Sequence, residues 1–320
     1  MMAKNKRSGK VKRPQRHRPK PTQPQAGEPI VCFGDQVAQS EFNRNHGELI
    51  KRLPHLFDTI TTTLGLVHSK TMTQPDVVVA SLARMSLEDF RQILVLCSNG
   101  ETTGGMKLLR GMFERVTTAK YIHKHPDEAD AFIHFFPMSR YKEMNAAKQF
   151  HLSEETIARL KDDREAVKDR YIVDDCKKCG TKKLNHSWTK IDIATMAKMV
   201  SLDLSMVPGY YFPMQETHAT MASIERRMKF DELTQRFTYD ETEDPAEREI
   251  TLSTTHYLAL AAVETLRDRF KLEELMQDRF RQCLEDFNQV WLKSRPEVSP
   301  TSINPEFNDN KEAALPPANS

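Results

Sequence analysis

Glycine is the residue that most constrains how this chain folds. There are 11 in 320 residues, and none follows Gly209. Sheets joined by hairpins use glycine at frequent intervals, because their tight turns need positive φ. A chain that dispenses with it for its whole last third points to helices. The apolar periodicity agrees. From Pro75 to Cys97, Val77, Val78, Leu82, Met85, Phe90, Ile93 and Leu94 recur at helical spacing. Met106 to His125 is the clearest helix, closed by Pro126. Helices are also expected over 41–68, from Ser153 to about Tyr171, over Trp188–Val200 and Pro213–Phe230, and as a final antiparallel pair over Glu249–Phe270 and Leu272–Leu292. Pro54 reads as an interruption or a first-turn residue, and Ser86–Asp89 as a break or a new cap. Gly104–Gly105 reads as a loop or a loose helix start, 174–187 as a polar loop and 238–248 as an acidic one. No period-2 run marks a strand, and neither a repeat nor a heptad register is visible. The expected fold class is therefore all-α, a bundle of roughly eight to ten helices.

The two ends are different material. Residues 1–27 carry nine Lys and Arg and no acid, with Pro14, Pro19, Pro21 and Pro24 among them. Nothing there builds a core, so residues 1–29 are expected to be a disordered basic arm. The formal net charge is +2, and subtracting the nine leaves −7 for residues 28–320. A basic arm on an acidic body attracts nucleic acid or another polyanion. No aromatic residue interrupts the arm, so it offers no base stacking. Residues 296–320 hold five prolines and few large apolar groups, the pattern of a second disordered tail. The domain itself is expected over 30–295. No run of 18 uncharged apolar residues exists, which argues against a membrane-spanning helix. The N-terminal region has charge but no apolar core of the secretory kind. Five cysteines spread thinly fit a reducing, cytoplasmic setting better than a disulfide framework.

Three constellations carry chemistry. On the helix 106–125, Leu109, Met112, Phe113 and Val116 form the apolar face, and Arg110, Glu114 and Tyr121 fall on one flank. Arg110 and Glu114 are spaced to pair. With a tyrosine hydroxyl beside them they would bind an anion or orient a reacting group, or else fix how two helices pack. In Cys176-Lys177-Lys178-Cys179-Gly180 two thiolates could face one metal, with His186 as a third ligand and Cys32, Cys97 or another histidine as a fourth. Half a zinc motif is present, so zinc is the candidate metal while no cofactor is expected. His218, in Glu216-Thr217-His218-Ala219-Thr220, is placed on one helical side with Met221, Ala222 and Glu225. It is an acid/base candidate, or a histidine bonded to a backbone carbonyl. No phosphate loop, dinucleotide fingerprint or nucleophile elbow is present.

Two blocks carry a resemblance. One runs Leu108-Leu109-Arg110-Gly111-Met112-Phe113-Glu114 and on through Tyr121-Ile122-His123-Lys124-His125-Pro126. The other begins Trp188-Thr189-Lys190-Ile191-Asp192-Ile193 and continues through Tyr210-Tyr211 to Glu216-Thr217-His218. Over roughly 55–270 the chain resembles the domain of unknown function numbered 5677, a helical family widespread in bacteria. The resemblance implies an all-helical fold and a shared set of Arg110, Glu114, Trp188, Tyr211 and His218, without a settled activity. Family members often place an arginine between the tyrosine and the histidine, an arrangement similar to the R-x4-6-H motif of helical HEPN ribonucleases. Here Pro213 lies in that stretch and no arginine does. Three readings follow: a helical binding protein that contacts nucleic acid through its arm, a metal-independent ribonuclease using His218 and Arg110, and a helical scaffold. The ribonuclease reading requires Arg110 and His218 to meet in space.

Overall fold

The computed structural model describes residues 34–146, 152–174, 180–218, 220–239 and 243–292. The chain divides into two units, Met1–Asp35 and Gln36–Ser320, and the fold described below is that of the second. The basic arm and the proline-rich tail lie outside the described residues, as do Cys32, Cys176 and Cys179.

The unit is helical: α1 Gln36–Asn45, α2 Gly47–His68, α3 Gln74–Ser98, α4 Thr102–Lys124, α5 Glu128–His134, α6 Phe136–Ala146, α7 Glu154–Val167, α8 Ile193–Met199, α9 Phe212–Thr217, α10 Met221–Glu225, α11 Pro245–Arg269 and α12 Glu273–Trp291. The all-α expectation holds. Several predicted breaks are absent. α2 runs through Pro54, which removes one backbone donor from a helix long enough to tolerate the loss. α3 runs through Ser86–Asp89, where the Ser86 hydroxyl donates back to the Leu82 carbonyl at 2.8 Å instead of capping a new helix. α3 begins with a capping box: the Thr73 amide donates to the Asp76 carboxylate at 2.8 Å, and Pro75 occupies the first turn. Gly104 and Gly105 fall in the first turn of α4, so of their two readings the helix start holds and the loop does not. A Cβ on Gly105 would sit 3.2 Å from Cys97 Sγ and 3.3 Å from Ile93, so the glycine lets the start of α4 close on α3.

α3 and α4 pack side by side, and α11 lies against both. Leu252 to Leu266 are buried around nearly the whole circumference of α11, which makes it the central helix. Its small residues, Ala259, Ala261 and Ala262, let its neighbours approach. α12 is amphipathic, burying Met276, Phe280, Cys283 and Val290 against α2 and α11. Arg267 lies over the Phe280 ring at 4.5 Å, and Trp291 Nε1 donates to His256 Nδ1 at 3.1 Å. These pairings fix α11 and α12 as antiparallel. Asp286 ties α12 to α2, accepting from Arg52 at 2.9 Å and bonding His55 at 2.7 Å.

Two small sheets depart from the expected pattern. β1 (Ile172–Asp174) pairs antiparallel with β2 (Lys182–Leu184) where a polar loop was expected, and the C-x-x-C segment lies in their connection. β3 (Met228–Asp231) pairs with β4 (Arg236–Tyr239) where a helix was expected to reach Phe230 and a loop to begin at 238. Each strand alternates for only three or four residues, too short a run for periodicity to register. The helix expected over Pro213–Phe230 is cut into α9 and α10 at His218, whose backbone is extended at ψ 153. Trp188–Ile191 precede α8, which starts only after Asp192 caps it by accepting from the Thr195 amide at 2.7 Å. Among the described residues no helix is long and apolar enough to cross a membrane.

Candidate anion-binding site at Arg110

α4 holds its register by burying Leu109, Met112, Phe113 and Val116 completely. That leaves Arg110 on the flank, its side chain 21% exposed. Its Nε donates to Glu114 Oε1 at 3.1 Å, one turn on, as the spacing predicts. The other half of the guanidinium faces a segment a hundred residues later. Nη1 lies 2.8 Å from His218 Nε2, Nη2 donates to the Tyr210 hydroxyl at 3.5 Å, and the group sits 4.9 Å from the Tyr210 ring centre. Arginine has only donors, so the His218 contact requires a lone pair on Nε2 and places the imidazole proton on Nδ1. His218 itself is exposed.

The segment that carries Tyr210 is a π-helix, Val207–Tyr211. Such turns insert one extra residue and are frequent at functional sites. This one is pressed on α4: a Cβ on Gly209 would lie 2.8 Å from Phe113 Cδ2. Only glycine permits that approach, which brings Phe113 and Tyr210 to 6.0 Å between ring centres. Tyr211 meets Tyr210 edge-on at 5.5 Å and remains exposed.

Of the residues singled out in the sequence, the fold brings together Arg110, Glu114 and His218, with Tyr211 one ring away. It separates Tyr121 and Trp188. Tyr121 shares a flank with Arg110 on a helical wheel, but eleven residues place it about 16 Å further along the axis. It is buried, 6.1 Å from Trp188 and 4.7 Å from His125 between ring centres. Burial first, then the carboxylates of Glu128 and Asp127, push its phenol pKa up. Trp188 and His186 line a different groove, of about 630 Å³, with Phe132, Ile133 and Phe136. His218 does not share a helical face with Met221, Ala222 and Glu225, because the chain breaks between α9 and α10.

Sequence reasoning missed Tyr210 as Arg110's partner; the tandem Tyr210-Tyr211 after Pro208-Gly209 was the available signal. It also missed the supports next door. Glu216, with only 6% of its side chain exposed, pairs with Arg226 at 3.4 Å and Arg227 at 3.5 Å. Arg226 reaches Glu247 at 3.0 Å, and Arg227 bonds Thr103 on α4. This network pins the end of α9, and so His218, to α4 and α11.

Among the described residues no group of three or more His, Cys, Asp or Glu gathers to hold a metal. Cys176 and Cys179, two thirds of the candidate zinc set, lie outside those residues, while His186 is exposed. Cys97 does not suit a fourth ligand: it is buried beneath Gly105, and burial pushes its thiol up to about 12.

The fold and the site together define a helical module with an arginine–histidine–tyrosine cluster on its surface. The chain matches the family of unknown function DUF5677 over residues 76–236, half of its length, and belongs to that family. The match takes in Arg110, Tyr210 and His218 and is narrower at both ends than the 55–270 over which the resemblance was drawn. No curated protein and no solved structure matches the chain.

Proposed function

We propose that the protein is a cytoplasmic helical binding module for phosphate-bearing polymers. Arg110, Tyr210 and His218 would take a phosphate, and the basic residues 1–27 would add a hold that does not depend on base sequence. The contact of Arg110 with His218 at 2.8 Å, across more than a hundred residues of chain, is the observation that carries this reading. Three of the five guanidinium N–H groups have the partners named above, so two are available to an incoming oxyanion. The cytoplasmic part rests on the free thiols of Cys97 and Cys283.

The test is single-stranded RNA binding by the full chain, by Arg110→Ala and by a chain lacking residues 1–27, each at two salt concentrations. Arg110→Ala should bind about tenfold more weakly. Removing the arm should weaken binding and flatten its salt dependence by about 0.7 in log–log slope for each phosphate that the arm had neutralised. A full chain that leaves RNA unbound at low salt would sink the proposal.

The same contact favours a second reading, metal-independent RNA cleavage. His218 would act as general base or acid at a 2′-hydroxyl, and Arg110 would stabilise the charge on the phosphorane. Cleavage that persists in a chelator and disappears in His218→Ala would support it, and intact RNA with both proteins would remove it.

A further inference from the structure

α11 and α12 leave a groove between them at the end where Pro245 begins one helix and Trp291 closes the other. Glu249, Ser253 and Tyr257 recur every four residues, so they form one stripe on α11. Phe287 and Trp291 form the matching stripe on α12. Both stripes line a cavity of about 430 Å³, which Ser205 and Thr254 also border. That volume lies within the range of small-molecule sites.

Three aromatic rings line this cavity. Tyr257 and Phe287 lie 6.1 Å apart between centres, tilted by 51°. Phe287 meets the buried His256 imidazole edge-on at 5.1 Å. The bond from Trp291 Nε1 to that same imidazole fixes the indole and uses its only donor. What Trp291 has left for a ligand is its π system.

The one charged side chain on the cavity wall is Glu249, half-exposed at 54%. Among the described residues no lysine or arginine pairs with it. Arg248 beside it is taken by Glu243. His46 lies 3.4 Å from Glu249 Oε1, but burial and Arg248 hold that imidazole at about 4, so it is neutral at neutral pH. Burial, then the carboxylates of Glu264 and Asp203, push the Tyr257 phenol up, so negative charge also lies near that ring.

We propose that this groove binds a small organic cation, a quaternary ammonium ion on a short polar stem. Ring faces attract a cation through their quadrupole, most strongly where water is excluded. The Glu249 carboxylate adds the opposite charge, and it would repel an anion. A bare ammonium has three N–H groups to satisfy, whereas a methylated one has none, and this wall offers more ring than acceptor. The hydroxyls of Ser205, Ser253 and Thr254 are left for the stem. None of the residues at Arg110 lines the groove, so the proposal stands apart from the RNA reading.

A ligand-observed NMR titration of the full chain tests this with choline, its uncharged carbon isostere 3,3-dimethylbutan-1-ol, and ethanolamine. Choline should bind, and the isostere should bind roughly 30-fold more weakly. Ethanolamine should also bind more weakly than choline. Glu249→Gln should weaken choline about tenfold and leave the isostere unchanged. Tyr257→Leu, which keeps bulk and removes a ring, should weaken choline about fivefold. RNA binding by both variants should match the wild type. The three ligands on the wild type decide the matter if either variant fails to fold, as judged by its circular dichroism melt. Choline left unbound at about 10 mM, an isostere or ethanolamine that binds as tightly as choline, or a folded Glu249→Gln chain with unchanged choline affinity would each overturn the proposal.

Discussion

Arg110 works as a fork and not as a point charge. Its three bonded nitrogens point to a neighbour on its own helix, to a histidine and to a tyrosine, a spread that an ammonium cannot reproduce. Arg110→Lys should therefore lower RNA affinity by about tenfold although net charge is unchanged, a loss that a filter-binding titration would read. Equal affinity would mean that charge alone matters there. Gly209 is the second residue on which the site turns. Gly209→Ala places a methyl group against the buried Phe113 ring and should cost about 2 kcal/mol in urea unfolding. It should also weaken RNA binding, because relieving the clash moves Tyr210. The Arg110–Glu114 pair could be read from spacing on one helix. The Arg110–His218 pair could not, since nothing in a sequence relates the phase of α4 to that of a chain break a hundred residues away.

At the scale of elements, local signals with a backbone partner were legible and those that depend on a neighbour were not. Ser153 opens α7 as its chemistry predicts, accepting from the Thr156 amide at 3.3 Å. The long helices α3, α4, α11 and α12 follow from apolar periodicity and proline placement. The hairpins escaped because short strands borrow their stability from what holds them, here the arginines at the base of β3–β4. The capping box of α3 gives a direct check. Asp76 caps α3 and also bonds Arg269 at the end of α11, at 2.6 Å. Asp76→Ala should therefore cost about 2 kcal/mol, and Thr73→Ala, which removes the hydroxyl's part of the cap and leaves the amide bond to Asp76, about 1 kcal/mol. Equal losses in denaturant midpoint would show that neither that amide bond nor the Arg269 contact adds anything.

Across the whole molecule, buried histidines set an acid limit. Burial holds both His46 and His256 at about 4, with Arg248 adding to the effect at His46. Unfolded, each would titrate near 6.5, so between those values the unfolded chain binds more protons and acid favours unfolding. Each histidine favours unfolding by about 3 kcal/mol once the pH has fallen through that window, and by nothing above it. Glu243, Glu247 and Glu249, whose carboxyls burial pushes up, act in the opposite direction and offset part of the loss. The melting temperature should fall between pH 6.5 and 4, and His256→Phe should fall less steeply; parallel curves would exclude His256 as a source. Asp286 contributes in the same sense as the histidines. Burial works to raise its pKa, but hydrogen bonds from His55, Arg52 and Gln282 prevail and hold it low. Asp286→Ala should detach α12 from α2 at a cost of about 3 kcal/mol, since Arg52 loses its buried partner.

The π-helix at Val207–Tyr211 has a consequence for how this site can change by descent. One surplus residue corresponds to three nucleotides, the smallest insertion or deletion that preserves a reading frame. Loss of a single codon there would let the turn relax to an ordinary α-helix while α3, α4 and α11 kept their packing, yet it would swing the tyrosine by about 100° away from Arg110. Two descendants of such a chain, one codon apart, would share a core and differ in what they hold.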